Sequence, residues 1–307
     1  MCAFSCRCTS SSGLHRLAEY DVRVSQWSSA VALLAAFLTC PTHGATHRLS
    51  QLDTAGKAPW PHPQCNSAAD DYAPALDIDA RSILFTSERA GVAQTYQCSA
   101  SGAVMILEGT FNRPGMARAF ASITAQGSGV ATVYRSGERQ SYASIVHVVR
   151  TSAGLDEGAP LDRVNGSFFA AQATISPDQS RIVYVSDREG GAGGLDIWMI
   201  ERRIDGTWSE PQHAGESINS PGDELTPVLV SPDTLLFSSD GMGGAGGHDV
   251  YMSINRAGRW GDPIPVTPLN SAWNDTDATR LPDGTHMFSS DRPGGRGGLD
   301  IWIWKPE

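Results

Sequence analysis

The sequence predicts an all-β fold, a β-propeller of five four-stranded antiparallel blades whose ring is closed by an N-terminal strand. Three observations carry this expectation: a segment repeated about every 50 residues, a second marker that keeps the same register, and a composition of tight turns. A chain of 307 residues can bury a sizeable core without staples. Its 32 glycines, with Asn, Asp, Ser and Pro clustered between short apolar runs, are the residues that turn strands back on themselves. No stretch sustains a helical period.

The repeat is plain in the C-terminal half. Residues 186–198 read SDREGGAGGLDIW, residues 239–251 SDGMGGAGGHDVY and residues 290–302 SDRPGGRGGLDIW. Their leading serines, Ser186, Ser239 and Ser290, stand 53 and 51 residues apart, and steps of 50 and 49 lead back to Ser136 and Ser87. The second marker is an Asn ahead of each serine: Asn66, Asn112, Asn165, Asn219 and Asn270. In three units an acidic pair or its near equivalent begins four residues on: Asp70 and Asp71, Asp223 and Glu224, Asn274 and Asp275. The second and third units carry Met116, Ala117 and Phe169, Ala170 there. The units fall near 66–111, 112–164, 165–218, 219–269 and 270–307.

Within a unit the pattern is strand, turn, strand, loop, strand, turn, strand. In the third, Ala173 and Ile175 alternate, Ser176-Pro177-Asp178 turns, Arg181 to Val185 is a short apolar strand, and Asp196 to Ile200 follows the Gly-rich loop. Four-stranded meanders repeated at this length read as propeller blades, since the rungs of a linear β-solenoid are shorter. The fifth unit ends before its fourth strand, so a stretch between His47 and Pro59 is expected to supply it and remove an open edge.

The SDRxGGxGGxDIW segments and Ser-Pro-Asp turns resemble the Pro-Asp, WD-like propeller repeats of TolB-type proteins and of envelope proteins linked to OmpA-type domains. The resemblance is strong over 165–307 and weak over 66–164. It implies a propeller of the cell envelope that binds other molecules and says nothing of which. No peptidoglycan-binding domain is expected after Glu307, so a cell-wall anchoring role is not carried over.

Residues 1–44 read as a leader. The apolar run 27–39 is too short to span a bilayer, Arg23 precedes it, and small residues suit cleavage after Gly44. An apolar strand of a cytosolic protein is the alternative. Cys40 loosely resembles a lipid-acylation site, and a start near Val22 or Val24 would give a leader of ordinary length. The expected location is periplasmic or secreted, with a lipid anchor at Cys40 the variant. Residues 45–307 then form one domain with 20 basic and 31 acidic residues, a net charge of −11. Such a surface argues against nucleic acid and leaves envelope proteins, glycans and cations as partners of a monomer with no transmembrane span. Cys65 and Cys98 are the cysteines beyond Cys40. They align with apolar positions of other units, which favours two separate buried thiols over a bridge.

Chain direction places the acidic opening loops and the Gly-rich loops on one face and the Ser-Pro-Asp turns on the other. Asp70, Asp71, Asp223, Glu224, Asp275 and Asp277 are therefore candidates for a ring of ligands at the channel mouth, where hard cations such as Ca²⁺ take carboxylate oxygens. The competing reading makes each acid a cap for its own turn. The Gly-rich loops lack the Lys-Ser or Lys-Thr of a phosphate cradle and the nine-residue period of a Ca²⁺ roll; they read as loops needing positive φ, with Asp196, Asp249 and Asp300 opening the next strand. Arg89, Arg188 and Arg292 would contact an anionic partner or pair with a neighbouring blade's acid, and His248 sits beside a loop. Tyr96, Trp198, Tyr251 and Trp302 read as core between blades, while Trp208 and Trp260 stand at turns on the opposite face, partly exposed. No nucleophile elbow, zinc spacing or Cys–His signature is present. The reading is a non-enzymatic binding or scaffold propeller of the cell envelope, without a cofactor, that meets a protein or glycan on the face carrying the Gly-rich loops. Its rival is a glycan lyase or glycosidase with carboxylates at the channel mouth.

Overall fold

The structure, a computed structural model, describes residues 57–77, 81–134 and 143–307. The leader with Cys40, Ser136 and most of the interval expected to close the ring lie outside the described residues. The rest is all strand. After β1 (Trp60–Pro61), blade one is β2 (Asp71–Asp77), β3 (Ser82–Ser87), β4 (Gln94–Ser99) and β5 (Val104–Ile106). Blade two is β6 (Arg118–Ile123), β7 (Ser128–Tyr134), β8 (Ala143–Thr151) and β9 (Gly154–Pro160), and blade three β10 (Ala170–Ile175), β11 (Arg181–Ser186), β12 (Asp196–Glu201) and β13 (Gln212–His213). Blade four is β14 (Glu224–Ser231), β15 (Thr234–Ser239) and β16 (Asp249–Arg256), with an outer edge in two pieces, β17 (Arg259–Trp260) and β18 (Ile264–Pro265). Blade five is β19 (Asp275–Arg280), β20 (His286–Ser290) and β21 (Asp300–Trp304), and β1 joins it as the outermost strand, Trp60 opposite Ile303. The ring thus closes through the N-terminal strand, at Trp60–Pro61, just past the expected interval.

The first strands of neighbouring blades, β2, β6, β10, β14 and β19, contact one another around a central channel. The core lies in the five seams between blades. Val130, Ile145 and Val164 pack on Tyr184 and Trp198 between blades two and three, and Leu236, Val250 and Leu269 on Phe288 and Trp302 between blades four and five. Trp260, expected at a turn, is 9% exposed and belongs to the seam of blades three and four. Apolar packing is not directional, so it does not by itself set the angle between blades.

The repeated Asn does. Each one lies flat against the third strand of the preceding blade, its Oδ1 accepting the N–H and its Nδ2 donating to the carbonyl of one residue. Asn66 holds Ile301, Asn112 holds Thr95, Asn165 holds Ile145, Asn219 holds Ile197 and Asn270 holds Val250, at 2.6–3.0 Å. An amide is the side chain that offers a donor and an acceptor in this geometry.

A second ring lies deeper. The third residue of every innermost strand, Ala73, Phe120, Gln172, Thr226 and Asp277, has φ between 49° and 54°, and the ladder slips beside it. Each bulge turns one N–H away from its own sheet, and the previous blade accepts it. Ala73 donates to Ser289 Oγ, Phe120 to Thr86 Oγ1, Gln172 to Thr132 Oγ1, Thr226 to Gln172 Oε1 and Asp277 to Thr226 Oγ1, at 2.9–3.2 Å. Five non-glycine residues held in the left-handed region are strained, and these bonds hold them there.

Cys65 and Cys98 form a disulfide, against the expectation of two separate thiols, with Cα atoms 5.9 Å apart. Their counterparts explain it. Val164 and Ile200 share one apolar cluster, as do Leu269 and Trp304, so the repeat brings these two positions together in other blades. Blade one replaces the apolar contact by a covalent one.

Two outcomes follow for stability. Asn219→Ala leaves the N–H and carbonyl of Ile197 without their buried partners and lowers unfolding free energy by about 2–4 kcal/mol. Cys65→Ala with Cys98→Ala opens a link spanning 33 residues and lowers it by about 3–4 kcal/mol. Denaturant titration monitored by tryptophan fluorescence measures both.

Candidate functional site

Strand pairing puts the repeat motifs in one row across each blade: Asp275 opposite Ser290 opposite Asp300, Glu224 opposite Ser239 opposite Asp249, and Asp71 opposite Ser87. The acids that open the innermost strands are fully buried, and each is occupied by its own blade. Asp71 accepts the Ser67 N–H and pairs with Arg89 at 2.7 Å. Asp275 accepts Ser271 N–H and Oγ and pairs with Arg292 at 2.5 Å. Glu224 accepts Ser220 N–H and Oγ and Ser239 Oγ, at 2.5–2.8 Å. Burial raises the Glu224 carboxyl pKa, and these donors pull it partly back.

The arginines complete that brace within their own blade, not across a seam as expected. Arg89, Arg188 and Arg292 donate to the carbonyls of Cys65, Val164 and Leu269, each just before the repeated Asn. Each guanidinium lies over an aromatic pair, Phe85 and Tyr96, Tyr184 and Trp198, or Phe288 and Trp302. Blade three has Ala170 where the acid would be, and Arg188 stacks on Phe168 at 4.3 Å instead. Blade two departs further. Its opening loop is one residue longer than the spacing predicts, so Arg118, not Ala117, opens β6. Its N–H bonds to Ala93 O as that of Asp71 bonds to Leu299 O, and its guanidinium reaches Phe111 O and Glu157.

The other member of each acidic pair bridges blades. Asp70 Oδ1 accepts Leu299 N–H, Asp223 Oδ1 accepts Leu195 N–H and Asn274 Oδ1 accepts His248 N–H, at 2.7–3.2 Å. Burial raises the Asp223 carboxyl pKa and lowers that of the His248 imidazole. The Gly-rich loops wrap the next acid: Asp196 accepts Ala192 N–H, Asp249 accepts Gly246 N–H, and Asp300 accepts Arg296 and Gly297 N–H. Positive φ is confined to one glycine per loop, Gly190, Gly243 and Gly294. Gly191, Gly244 and Gly295 are required for a different reason, since a Cβ would strike the wrapped carboxylate. The loop amides are thereby turned inward.

Among the described residues, the group with atoms close enough to hold a metal is His62 with Cys65 and Cys98, and both sulfurs are committed to the disulfide. The six candidate acids do not gather into one site. Asp70 and Asp223 lie at seams, Asp71, Glu224 and Asp275 within blades, and Asp277 at mid-channel. The channel itself encloses about 550 Å³. Its lining runs from the bulge residues Ala73, Phe120, Gln172, Thr226 and Asp277 to Ala125, Pro177, Ser231 and Pro282 at the turns. It therefore lies toward the turn face and not toward the loop face singled out from the sequence. Sequence reasoning missed the hydroxyls of the inner ring, although Thr86 and Ser289 each directly precede a repeat serine.

No family model matches the sequence, and no curated protein matches it. Solved structures do. TolB from Acinetobacter baumannii is 15% identical over 77% of this chain and 55% of that one, with a TM-score of 0.43. The xyloglucan PUL GH43B of Bacteroides ovatus is 15% identical over 80% and 53%, with a TM-score of 0.52. The chain spans about half the length of these two. The endo-arabinase of Bacteroides thetaiotaomicron is 12% identical over 82% and 97%, with a TM-score of 0.52. At these identities the two likenesses with a TM-score of 0.52 show a shared propeller fold and nothing finer.

Asp249 provides a pH test of the braced row. Burial raises its carboxyl from 3.8 to about 6, so between these values the folded chain holds the proton more tightly than the unfolded one. Its contribution to stability is present below pH 4 and is lost as the pH rises through 6. Asp249→Asn keeps an oxygen for Gly246 N–H and removes the titration. The variant's stability relative to wild type should rise from pH 4 to pH 6, by at most about 3 kcal/mol, and stay level above pH 7 in chemical denaturation.

Proposed function

We propose that this chain is a non-enzymatic binding propeller of the cell envelope that takes a protein or glycan partner at the turn-face end of its central channel. The observation that carries this reading is the saturation of the strand-opening acids. Hydrolysis of a glycan by two carboxylates needs an acid and a base on either side of one bond, about 5–10 Å apart. Asp71, Glu224 and Asp275 instead each spend their oxygens on donors of their own blade. The channel is what remains open. The Cys65–Cys98 bond supports an oxidising compartment, periplasmic or extracellular, and the negative charge after residue 44 supports a partner other than nucleic acid. Monomeric function fits a closed ring whose outermost strands are short in blades one, three, four and five.

A second reading has one observation in its favour, the fold shared with a glycoside hydrolase and an endo-arabinase. One experiment separates the two. The full-length chain is incubated with linear arabinan and with xyloglucan while reducing ends are followed, and the same protein is applied to glycan and peptide arrays. The binding reading expects no sugar release above the protein-free control and a saturable array signal. Sugar release that disappears in Glu224→Gln would overturn it in favour of the hydrolase.

A further inference from the structure

Blade three carries a cation that its own fold does not balance. In blades one and five the arginine after the repeat serine pairs with the buried acid that opens the innermost strand, Arg89 with Asp71 and Arg292 with Asp275. Blade three keeps the arginine and the frame that holds it. Arg188 Nη2 donates to Val164 O at 2.8 Å, as Arg89 Nη2 donates to Cys65 O at 2.7 Å. But β10 opens with Ala170, where those blades have the acid. None of the ion pairs among the described residues involves Arg188. The flanking acids do not stand in: Asp187 Oδ1 accepts the Phe169 N–H, and Glu189 is exposed.

The donors around Arg188 also lack acceptors. Arg89 and Arg292 give their Nε–H to Ser87 and Ser290 Oγ, at 2.7 and 2.9 Å. In blade three Ser186 Oγ donates to Phe169 O instead. Arg188 Nε is left buried and unbonded, and so is the Tyr184 hydroxyl. The N–H that Ser67 and Ser271 give to the acid belongs here to Gly166, and it has no acceptor among the described residues. A half-buried cation among unmet donors is unfavourable.

The surroundings narrow what would meet it. The Phe168, Trp198 and Tyr184 rings stand 4.3, 5.2 and 5.5 Å from the guanidinium carbon. Nη1 is the guanidinium nitrogen that is neither hydrogen-bonded nor buried. An N–H at the edge of this planar cation takes a carboxylate in its plane, and a carboxylate is what the same position binds in blades one and five. Phe168 and Phe169, both partly exposed beside it, offer carbon and no hydrogen bond to sugar hydroxyls, which favours a peptide acid over a uronate. Residues 45–307 carry a net charge of −11, so long-range attraction does not draw acidic peptides to the surface, and their binding would report a specific site.

We propose that Arg188 is a binding site on the loop face for an aspartate or glutamate side chain of a partner protein, which supplies from outside the charge that Asp71 and Asp275 supply from within. The site lies on the face opposite the channel end named above and goes beyond that reading.

The test is calorimetric titration of the full-length chain with the N-acetylated, C-amidated peptides Gly-Asp-Gly and Gly-Asn-Gly and with digalacturonate. The Asp peptide is expected to bind at least tenfold more tightly than the Asn peptide. Ala170→Asp gives blade three its own acid and should weaken binding of the Asp peptide at least tenfold. Arg188→Lys keeps the charge, removes the planar edge and should weaken it at least fivefold; it serves if Ala170→Asp does not fold. If neither variant folds, the two peptides on the wild type decide. No binding of the Asp peptide, equal affinity for the two peptides, undiminished binding in a folded variant, or tighter binding of digalacturonate than of the Asp peptide would overturn the proposal. Such a failure leaves the channel reading standing, and sugar release would overturn that reading without touching this one.

Discussion

The seams between blades carry no strand pairing, and everything else in the molecule depends on how they are bridged. Two sheets meeting face to face gain apolar contact over a range of angles. A closed ring of five tolerates little variation at any of them. The Asn clamp resolves this by extending each blade's ladder sideways for one residue through a side chain. The inner ring repeats the device at smaller radius with a backbone donor and mostly a side-chain hydroxyl. Each seam is thus fixed at two radii, and the strain of five left-handed residues is sustained by partners that exist only in the assembled ring.

This arrangement also explains the specialisation of the two faces. On the loop face, carboxylates, arginines and loop amides satisfy one another within and between blades. Charged side chains that look like ligands in a sequence are there because burying them unpaired is unfavourable. On the turn face Gln179 reaches Thr124, Gln126 and Ser128 across one seam, Arg181 the Pro232 carbonyl across another and Arg150 Asp77 across a third, and the channel reaches outward from the bulges to that side.

The blades, their order and the shared edge of their motifs were legible because they depend on periodic features: turn residues, short apolar strands, and one Asn per unit. The role of the Asn was legible only as a register mark, since its partner is a backbone group in another unit. The left-handed bulge was hidden for a different reason. Ala73, Phe120, Gln172, Thr226 and Asp277 have no side-chain property in common, so the position is defined by the ring and not by residue type. Alignment of Cys65 and Cys98 with apolar positions pointed away from a bond, although those positions meet across the fold in other blades. The longer loop before Arg118 shifted one blade by a residue and concealed the substitution of an arginine for the strand-opening acid.

The way the ring closes has a mechanical consequence. β1 meets β21 at the outer rim over two residue pairs, and four residues further on Cys65 is bonded to β4 of blade one. Traction on the chain ahead of Trp60 would peel β1 away with little resistance, because its ladder is so short. The peeling stops at Cys65. Past that point the pull is borne by a covalent link into the neighbouring blade, and the clamp at Asn66 and the inner ring lie behind it, shielded from the load. A tether at this end of the chain could therefore be drawn tight while the channel keeps its shape.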